Sequence, residues 1–136
     1  MITLLKGRVL YFDEKPTVES GYTYINDGAV AIESGKILAS GQYQTLREQY
    51  PNAELHDYGE HFILPGFIDT HIHYPQCGVI ASYGEQLLDW LNNYTFPAEQ
   101  AFAELSHSES VAKLFVNELF KNGTTTALVY LSLIHI

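Results

Sequence analysis

The chain has 136 residues, of which 46% are hydrophobic and 17% are charged, a composition typical of a globular protein with enough apolar material for a core. The formal net charge of −9, from 16 acidic and 7 basic residues, argues against a nucleic-acid partner, because such proteins normally carry clustered basic residues. The single cysteine excludes an internal disulfide, and without a signal peptide or an apolar run of the ~20 residues that a membrane span needs, we expect a cytoplasmic protein with no membrane partner.

The first part of the chain is predicted to form a small β-rich layer. Ser34-Gly35 stands between two β-like runs at the position of a tight hairpin turn, and Pro51-Asn52 closes a short helical stretch. The predicted elements are strands at 4–11, 28–33, 36–41 and 54–58 and a helix at 45–50.

The pattern changes at about residue 61, where "HFILPGFIDTHIH" is a nearly continuous apolar run. Such a run is typical of a parallel strand that is covered on both faces. A helix predicted over 110–123, with Ser106 or Ser108 as N-cap, is followed by a buried strand at 124–130. The order strand, helix, strand predicts one β/α repeat of an α/β protein.

The connection between the first of these strands and the helix, residues 74–107, is much longer than the two to six residues that such loops usually take. It contains a further predicted helix at 84–94, which carries Trp90 on an apolar side. In a β/α barrel, these connections lie on the face that holds the active site. We therefore expect the long connection to have a function.

The stretch "LPGFIDTHIHYPQ" at 64–76 carries the candidate chemistry. Side chains alternate along a strand, so Asp69, His71 and His73 are predicted to share one face. Two imidazoles at this spacing can reach one divalent ion, and Pro75 places them at the carboxyl end of the strand. A His-x-His pair alone is more often structural, but the strand before it, the carboxylate in phase and the proline after it favour a metal site. The Asp69 carboxylate is then expected to orient a metal-binding histidine or to accept the N–H that this histidine does not use for the metal.

These residues resemble a known family. "PGFIDTHIH" looks like the first metal-binding strand of the amidohydrolase superfamily, and "YGEQLLDWLNNYTFPAEQ" with "NGTTTALV" is similar to the bacterial guanine deaminases within it. The resemblance implies a (β/α)8 TIM-like barrel preceded by a small β-sandwich. Residues 1–63 would belong to the sandwich, and residues 64–136 would form the first β/α unit and the second strand of the barrel.

The resemblance also implies an activity, the zinc-dependent hydrolytic deamination of guanine to xanthine and ammonia, in an enzyme that forms homodimers. It implies that His71 and His73 bind one zinc ion, that Gln76 hydrogen-bonds the purine and that Trp90 helps to wall the flat base. The implied substrate-binding residues are His73, Tyr74, Pro75, Gln76 and Trp90.

A catalytic zinc takes about three protein ligands plus a water, and the chain supplies two that can be placed. We therefore expect the chain to be a fragment, inactive alone, that lacks the proton-shuttle residue and exposes apolar faces. The last residues, 131–136, depart from the family pattern. Two alternatives remain open: another amidohydrolase that acts on a ring amine or cyclic amide, or a non-catalytic fragment whose histidines are structural.

Overall fold

The computed structural model describes residues 1–13, 15, 17 and 19–131, and these form two compact units that divide after Pro65. We call them the N-terminal unit and the C-terminal unit. The sequence placed the boundary two residues earlier, after residue 63. The unusual tail at 131–136 lies, apart from Leu131, outside the described residues.

The N-terminal unit is a four-stranded sheet in the order β3-β2-β1-β4 with one short helix. β1 pairs antiparallel with β2 and parallel with β4, and β2 pairs antiparallel with β3. The predicted hairpin is confirmed, since Ser34 and Gly35 both have positive φ, as a type I′ turn requires. The elements are β1 Thr3–Tyr11, β2 Thr23–Glu33, β3 Lys36–Gln42, α1 Tyr43–Gln49 and β4 Glu54–Ile63.

The core of this unit lies between α1 and the sheet. Leu4, Ala29 and Ala31 are fully buried, and Leu46 of α1 packs onto them. Full burial of a leucine side chain stabilises a fold by about 1.5–3 kcal/mol relative to exposure. The small alanines of β2 let the helix approach the strands closely, so the N-terminal unit closes its own interior.

The C-terminal unit contains two parallel strands, joined by the long connection and a helix. The predicted order strand, helix, strand is confirmed. The elements are β5 Phe67–His73, a 3₁₀ helix Tyr74–Val79, α2 Leu87–Trp90, a π-helical turn Leu91–Thr95, α3 Phe96–Gln100, a 3₁₀ helix Ala101–Ala103, α4 Leu105–Lys121 and β6 Thr124–Tyr130.

The apolar run from residue 61 is divided between two strands, which corrects the prediction of a single strand. β4 ends at Ile63 and β5 begins at Phe67. Between them, Gly66 passes so close to β6 that a Cβ atom would lie 1.9 Å from Thr125 Oγ1. Glycine is therefore required at position 66 by close packing at the start of β5.

The helix α4 begins five residues before the predicted start, and the predicted serine caps are wrong. Glu104 is the N-cap, and Ser106 and Ser108 lie inside the first turn. The Ser108 hydroxyl donates to the carbonyl of Phe102 at 2.8 Å, so this serine ties the helix to the preceding 3₁₀ helix. The helix predicted at 84–94 begins only at Leu87 and continues as the π-helical turn.

The apolar side chains of the C-terminal unit remain largely open to solvent. Phe67 and Ile68 of β5 are 56% and 69% exposed, and Leu128 of β6 is 60% exposed. The prediction that β5 is covered on both faces is therefore not met within the described residues, because the two strands and the helices of this unit leave these side chains exposed. The expected exposure of apolar faces is confirmed. No described helix is long and apolar enough to cross a membrane.

Candidate metal and ligand site

The two histidines of β5 converge at the carboxyl end of the strand. His71 Nε2 lies 3.0 Å from His73 Nε2, and the ring centroids are 5.0 Å apart. Two nitrogens that each lie ~2.0–2.1 Å from one zinc ion at tetrahedral angles are about 3.3–3.4 Å apart. The observed distance is close to this value, so the imidazole pair fits two ligand positions of a divalent metal.

The described residues supply only this part of a metal site. Within 1–13, 15, 17 and 19–131, no group of three or more histidine, cysteine, aspartate or glutamate side chains comes together in a way that could hold an ion. A catalytic zinc uses about three protein ligands, so the pair is a partial ligand set.

Tyr130 packs against both imidazoles and was missed by the sequence analysis. Its ring stacks on His71 at 4.5 Å and on His73 at 5.2 Å between centroids. The signal was available in principle, because Tyr130 ends the second predicted strand and pairs in register with His73. Stacking of this kind restricts the orientation of both rings.

The Asp69 carboxylate hydrogen-bonds the main chain of its own strand. Its Oδ1 accepts the backbone N–H of His71 at 2.9 Å, so the carboxylate holds the main chain of β5. The strand register is irregular between Asp69 and Ile72, so strict alternation of side chains does not continue across these residues. Asp69 therefore acts on His71 through the backbone.

A cavity of about 610 Å³ reaches His73 of the histidine pair. Four of the predicted site residues line it: Asp69, His73, Gln76 and Trp90. Its remaining wall is mostly apolar and comes largely from α4 and the start of the long connection. A volume of this size and a mostly apolar lining with a few polar groups are typical of small-molecule sites.

Tyr74 and Pro75 do not line this cavity with their side chains. The Tyr74 hydroxyl donates to the carbonyl of Ser108, and its ring contacts Phe102 and Phe115 edge-on. Burial raises the pKa of Tyr74 above its ordinary value. Pro75 is buried in the 3₁₀ helix. Tyr74 therefore braces the start of the long connection against α4.

Cys77 also lines the cavity. Burial raises the pKa of its thiol, so the sulfur is protonated at neutral pH and is a poor nucleophile. Cys77 is therefore a lining residue and not an activated nucleophile.

Comparison with known proteins identifies the family. Residues 62–134, more than half of the chain, match the sequence model of the Amidohydrolase family. The chain belongs to the amidohydrolase family. In this amidohydrolase, residues 28–53 also match a bacterial Imidazolonepropionase-like composite domain. This match confirms the resemblance to the amidohydrolases that was inferred from the strand motif "PGFIDTHIH".

The curated relatives and solved structures that are similar to this amidohydrolase include guanine deaminases. The guanine deaminase of Escherichia coli K12 is 41% identical over 119 residues, which cover 87% of this chain and 27% of that protein. The crystal structure of guanine deaminase from Bradyrhizobium japonicum superposes with a TM-score of 0.91 at 31% identity and covers 96% of this chain and 29% of that one. Guanine deaminase from C. acetobutylicum, with bound guanine in its active site, superposes with a TM-score of 0.80 at 27% identity over 98% of this chain and 30% of that one.

The amidohydrolase chain therefore spans about a quarter of the length of the curated relatives that it matches. Its mixed α/β structure is consistent with the start of a TIM-barrel hydrolase. The expected similarity to guanine deaminases is confirmed over nearly the whole chain.

Proposed function

We propose that this chain contributes the first metal-binding strand and one wall of the substrate site to an enzyme that hydrolyses guanine to xanthine and ammonia. One observation carries the proposal: His71 Nε2 and His73 Nε2 converge to 3.0 Å beside a cavity lined by Gln76 and Trp90. The 41% identity to the E. coli guanine deaminase supports guanine as the substrate.

The metal that we propose for this site is zinc, held by the Nε2 atoms of His71 and His73. Imidazole nitrogens are common zinc ligands, and members of the family typically depend on a metal. Zinc, when bound, supplies a Lewis acid and activates a water for attack at neutral pH. Tyr130 keeps the two rings oriented by stacking on both, and Asp69 fixes the backbone of His71.

Gln76 and Trp90 are proposed to bind the purine. The side-chain amide of Gln76 can hydrogen-bond the edge of the base, and the indole of Trp90 offers a flat apolar wall. His73 contacts the same ligand from the end of β5. Tyr74 and Pro75 contribute only by shaping the backbone next to Gln76.

The metal-binding part of the proposal is tested on the chain itself. Zinc content after purification and dialysis is measured by mass spectrometry for the wild type and for the double variant His71→Ala, His73→Ala. The matched control is His56→Ala, because His56 lies in the N-terminal unit, where its imidazole contacts the Glu54 carboxylate at 3.2 Å. We expect the double variant to lose zinc and the control to retain it. Equal zinc content in the wild type and in the double variant would contradict the assignment of His71 and His73 as metal ligands.

The substrate is tested in a chimera in which residues 28–130 replace the matching part of the E. coli relative. We expect guanine to be deaminated faster than adenine or cytosine, and Gln76→Leu to lower kcat/KM for guanine at least about tenfold, because a site built to hydrogen-bond its ligand is left unpaired. Faster turnover of adenine, cytosine or a cyclic amide would contradict the choice of guanine.

A further inference from the structure

A buried carboxylate lies directly behind Gln76. Glu99 is only 5% exposed, and Gln76 Nε2 donates to Glu99 Oε1 at 3.5 Å. Burial of a carboxylate is costly unless it is hydrogen-bonded, so its position next to a predicted ligand-binding amide calls for an explanation. Gln76 lines the cavity, whereas Glu99 lies behind it.

The local helix geometry places Glu99 there. The π-helical turn Leu91–Thr95 immediately precedes α3, and π-helical turns are rare and frequent at functional sites. Thr95 and Glu99, four residues apart, fall on the same side of the helical segment, and both are buried. α3 packs against the 3₁₀ helix that carries Gln76, so this buried side meets the base of the ligand-binding residue.

We propose that Glu99 is a positioning residue that holds the side-chain amide of Gln76 in one of its two possible orientations. An ionised carboxylate can only accept hydrogen bonds, so it fixes the NH₂ group of Gln76 on its own side. The amide oxygen is then left as the acceptor for a ligand in the cavity. This inference rests on the proposed function and adds to it a reason for substrate choice.

The fixed orientation selects ligands by the edge that they present. An acceptor from the protein favours a heterocycle edge with N–H donors, such as the ring N–H and the neighbouring amine of guanine, over an edge that presents only acceptors. Without Glu99 the amide can turn, and half of its orientations present the wrong group. Loss of Glu99 is therefore expected to weaken ligand binding, because the side-chain amide of Gln76 is no longer preorganised.

The test is a double-mutant cycle in the chimera described above. We expect Glu99→Leu to raise KM for guanine about tenfold with kcat changed less than about threefold, and Gln76→Leu, Glu99→Leu to be no worse than Gln76→Leu alone, since both changes remove one interaction. Glu99→Gln should restore most of the affinity, because its amide oxygen can accept from Gln76 Nε2. The matched control is Thr95→Val on the same side of the helix, which removes a buried hydroxyl that has no hydrogen-bond partner among the described residues and should leave KM unchanged.

Additive effects of Gln76→Leu and Glu99→Leu, or a Glu99→Gln variant as impaired as Glu99→Leu, would overturn the inference. A second measurement separates it from the proposed function. In the 136-residue chain, the ¹⁵N-labelled side-chain amide of Gln76 should shift in Glu99→Leu and stay in place in Thr95→Val. A chimera without guanine activity overturns the proposed function, and the amide spectrum then decides the positioning role by itself.

Discussion

The two units of the molecule bury very different kinds of side chain. In the N-terminal unit, the buried residues given by the structure are apolar, and Leu4, Ala29 and Ala31 are fully enclosed. In the described part of the C-terminal unit, the buried side chains include the polar Thr95 and Glu99, while large apolar residues of β5 and β6 are exposed. The candidate ligand-binding residues thus lie where apolar packing is weakest, which is common for elements that serve function.

The difference in burial between the two units predicts that the same substitution will cost more stability in the N-terminal unit than in the C-terminal unit. Leu4 is fully buried and Leu128 is 60% exposed. We expect Leu4→Ala to lower the free energy of unfolding by about 2–5 kcal/mol, because it removes buried methyl groups and leaves a cavity. Leu128→Ala should cost less than about 1 kcal/mol, since the side chain contacts solvent. Urea unfolding curves of both variants measure this, and similar losses would show that the contrast in burial is not a contrast in stability.

A second substitution probes how the C-terminal unit is held without a large apolar core. In Gly66→Ala, the new Cβ would lie 1.9 Å from Thr125 Oγ1, so β5 and β6 must move apart. Overpacking of this kind costs about 1–3 kcal/mol.

The matched control is Gly78→Ala, because nothing lies within 4 Å of a Cβ at that position. Hydrogen exchange of the β5 and β6 amides should accelerate in Gly66→Ala and stay unchanged in Gly78→Ala. If both variants exchange alike, the close approach does not hold the strand pair.

Much of the fold could be predicted from the sequence, because local patterns determine it. The hairpin turn at Ser34-Gly35 and the bounds of β6 follow from turn chemistry and from a run of β-forming residues. The early start of α4 could not be predicted from capping rules. The 3₁₀ helix before it uses Ser108 as a hydroxyl donor, so the serine is not available as a cap.

The candidate site could be predicted only in part. His71 and His73 were found because spacing along one strand fixes their distance. Tyr130 and Glu99 were missed, since each approaches the site from a distant segment of the chain, through strand pairing or helix packing. Asp69 was expected to support a metal ligand, and its carboxylate accepts the backbone N–H of His71.

A smaller effect is expected at the polar end of the C-terminal unit. Aromatic stacking contributes about 0.5–1.5 kcal/mol beyond burial, so Tyr130→Leu should weaken zinc binding to the chain by about two- to tenfold. Tyr130→Phe retains the ring and should bind zinc as the wild type does. Calorimetric titration with zinc measures both. If the Tyr130→Phe and Tyr130→Leu variants weaken zinc binding equally, the aromatic ring at position 130 does not orient the imidazoles of His71 and His73.

The smallest effect concerns an exposed ion pair in the N-terminal unit. The N–H of Gly59 and the Lys6 ammonium, at 2.8 and 3.0 Å, hold the pKa of Asp57 below its ordinary value. Because the pKa is lower in the folded state, the stabilising contribution is complete above the ordinary carboxyl pKa of about 3.9 and is lost as the pH falls through the folded value. Exposed pairs contribute little, so the effect is small.

Asp57→Asn should therefore lower the unfolding midpoint slightly at pH 6, and the difference from the wild type should shrink as the pH falls through the lowered pKa of Asp57. Asp27→Asn is the control, because Asp27 lies 3.9 Å from the same Lys6 ammonium and should show a smaller change. A difference between Asp57→Asn and the wild type that stays constant from pH 6 to 2.5 would contradict the assignment. Since the pair joins β1 to β4, the amides that respond to pH through Asp57 should belong to the N-terminal unit, where the sheet already closes a core. The hydrogen-exchange rates of the C-terminal unit should not change with Asp57→Asn. The pH response would then distinguish the two units independently of how deeply their side chains are buried.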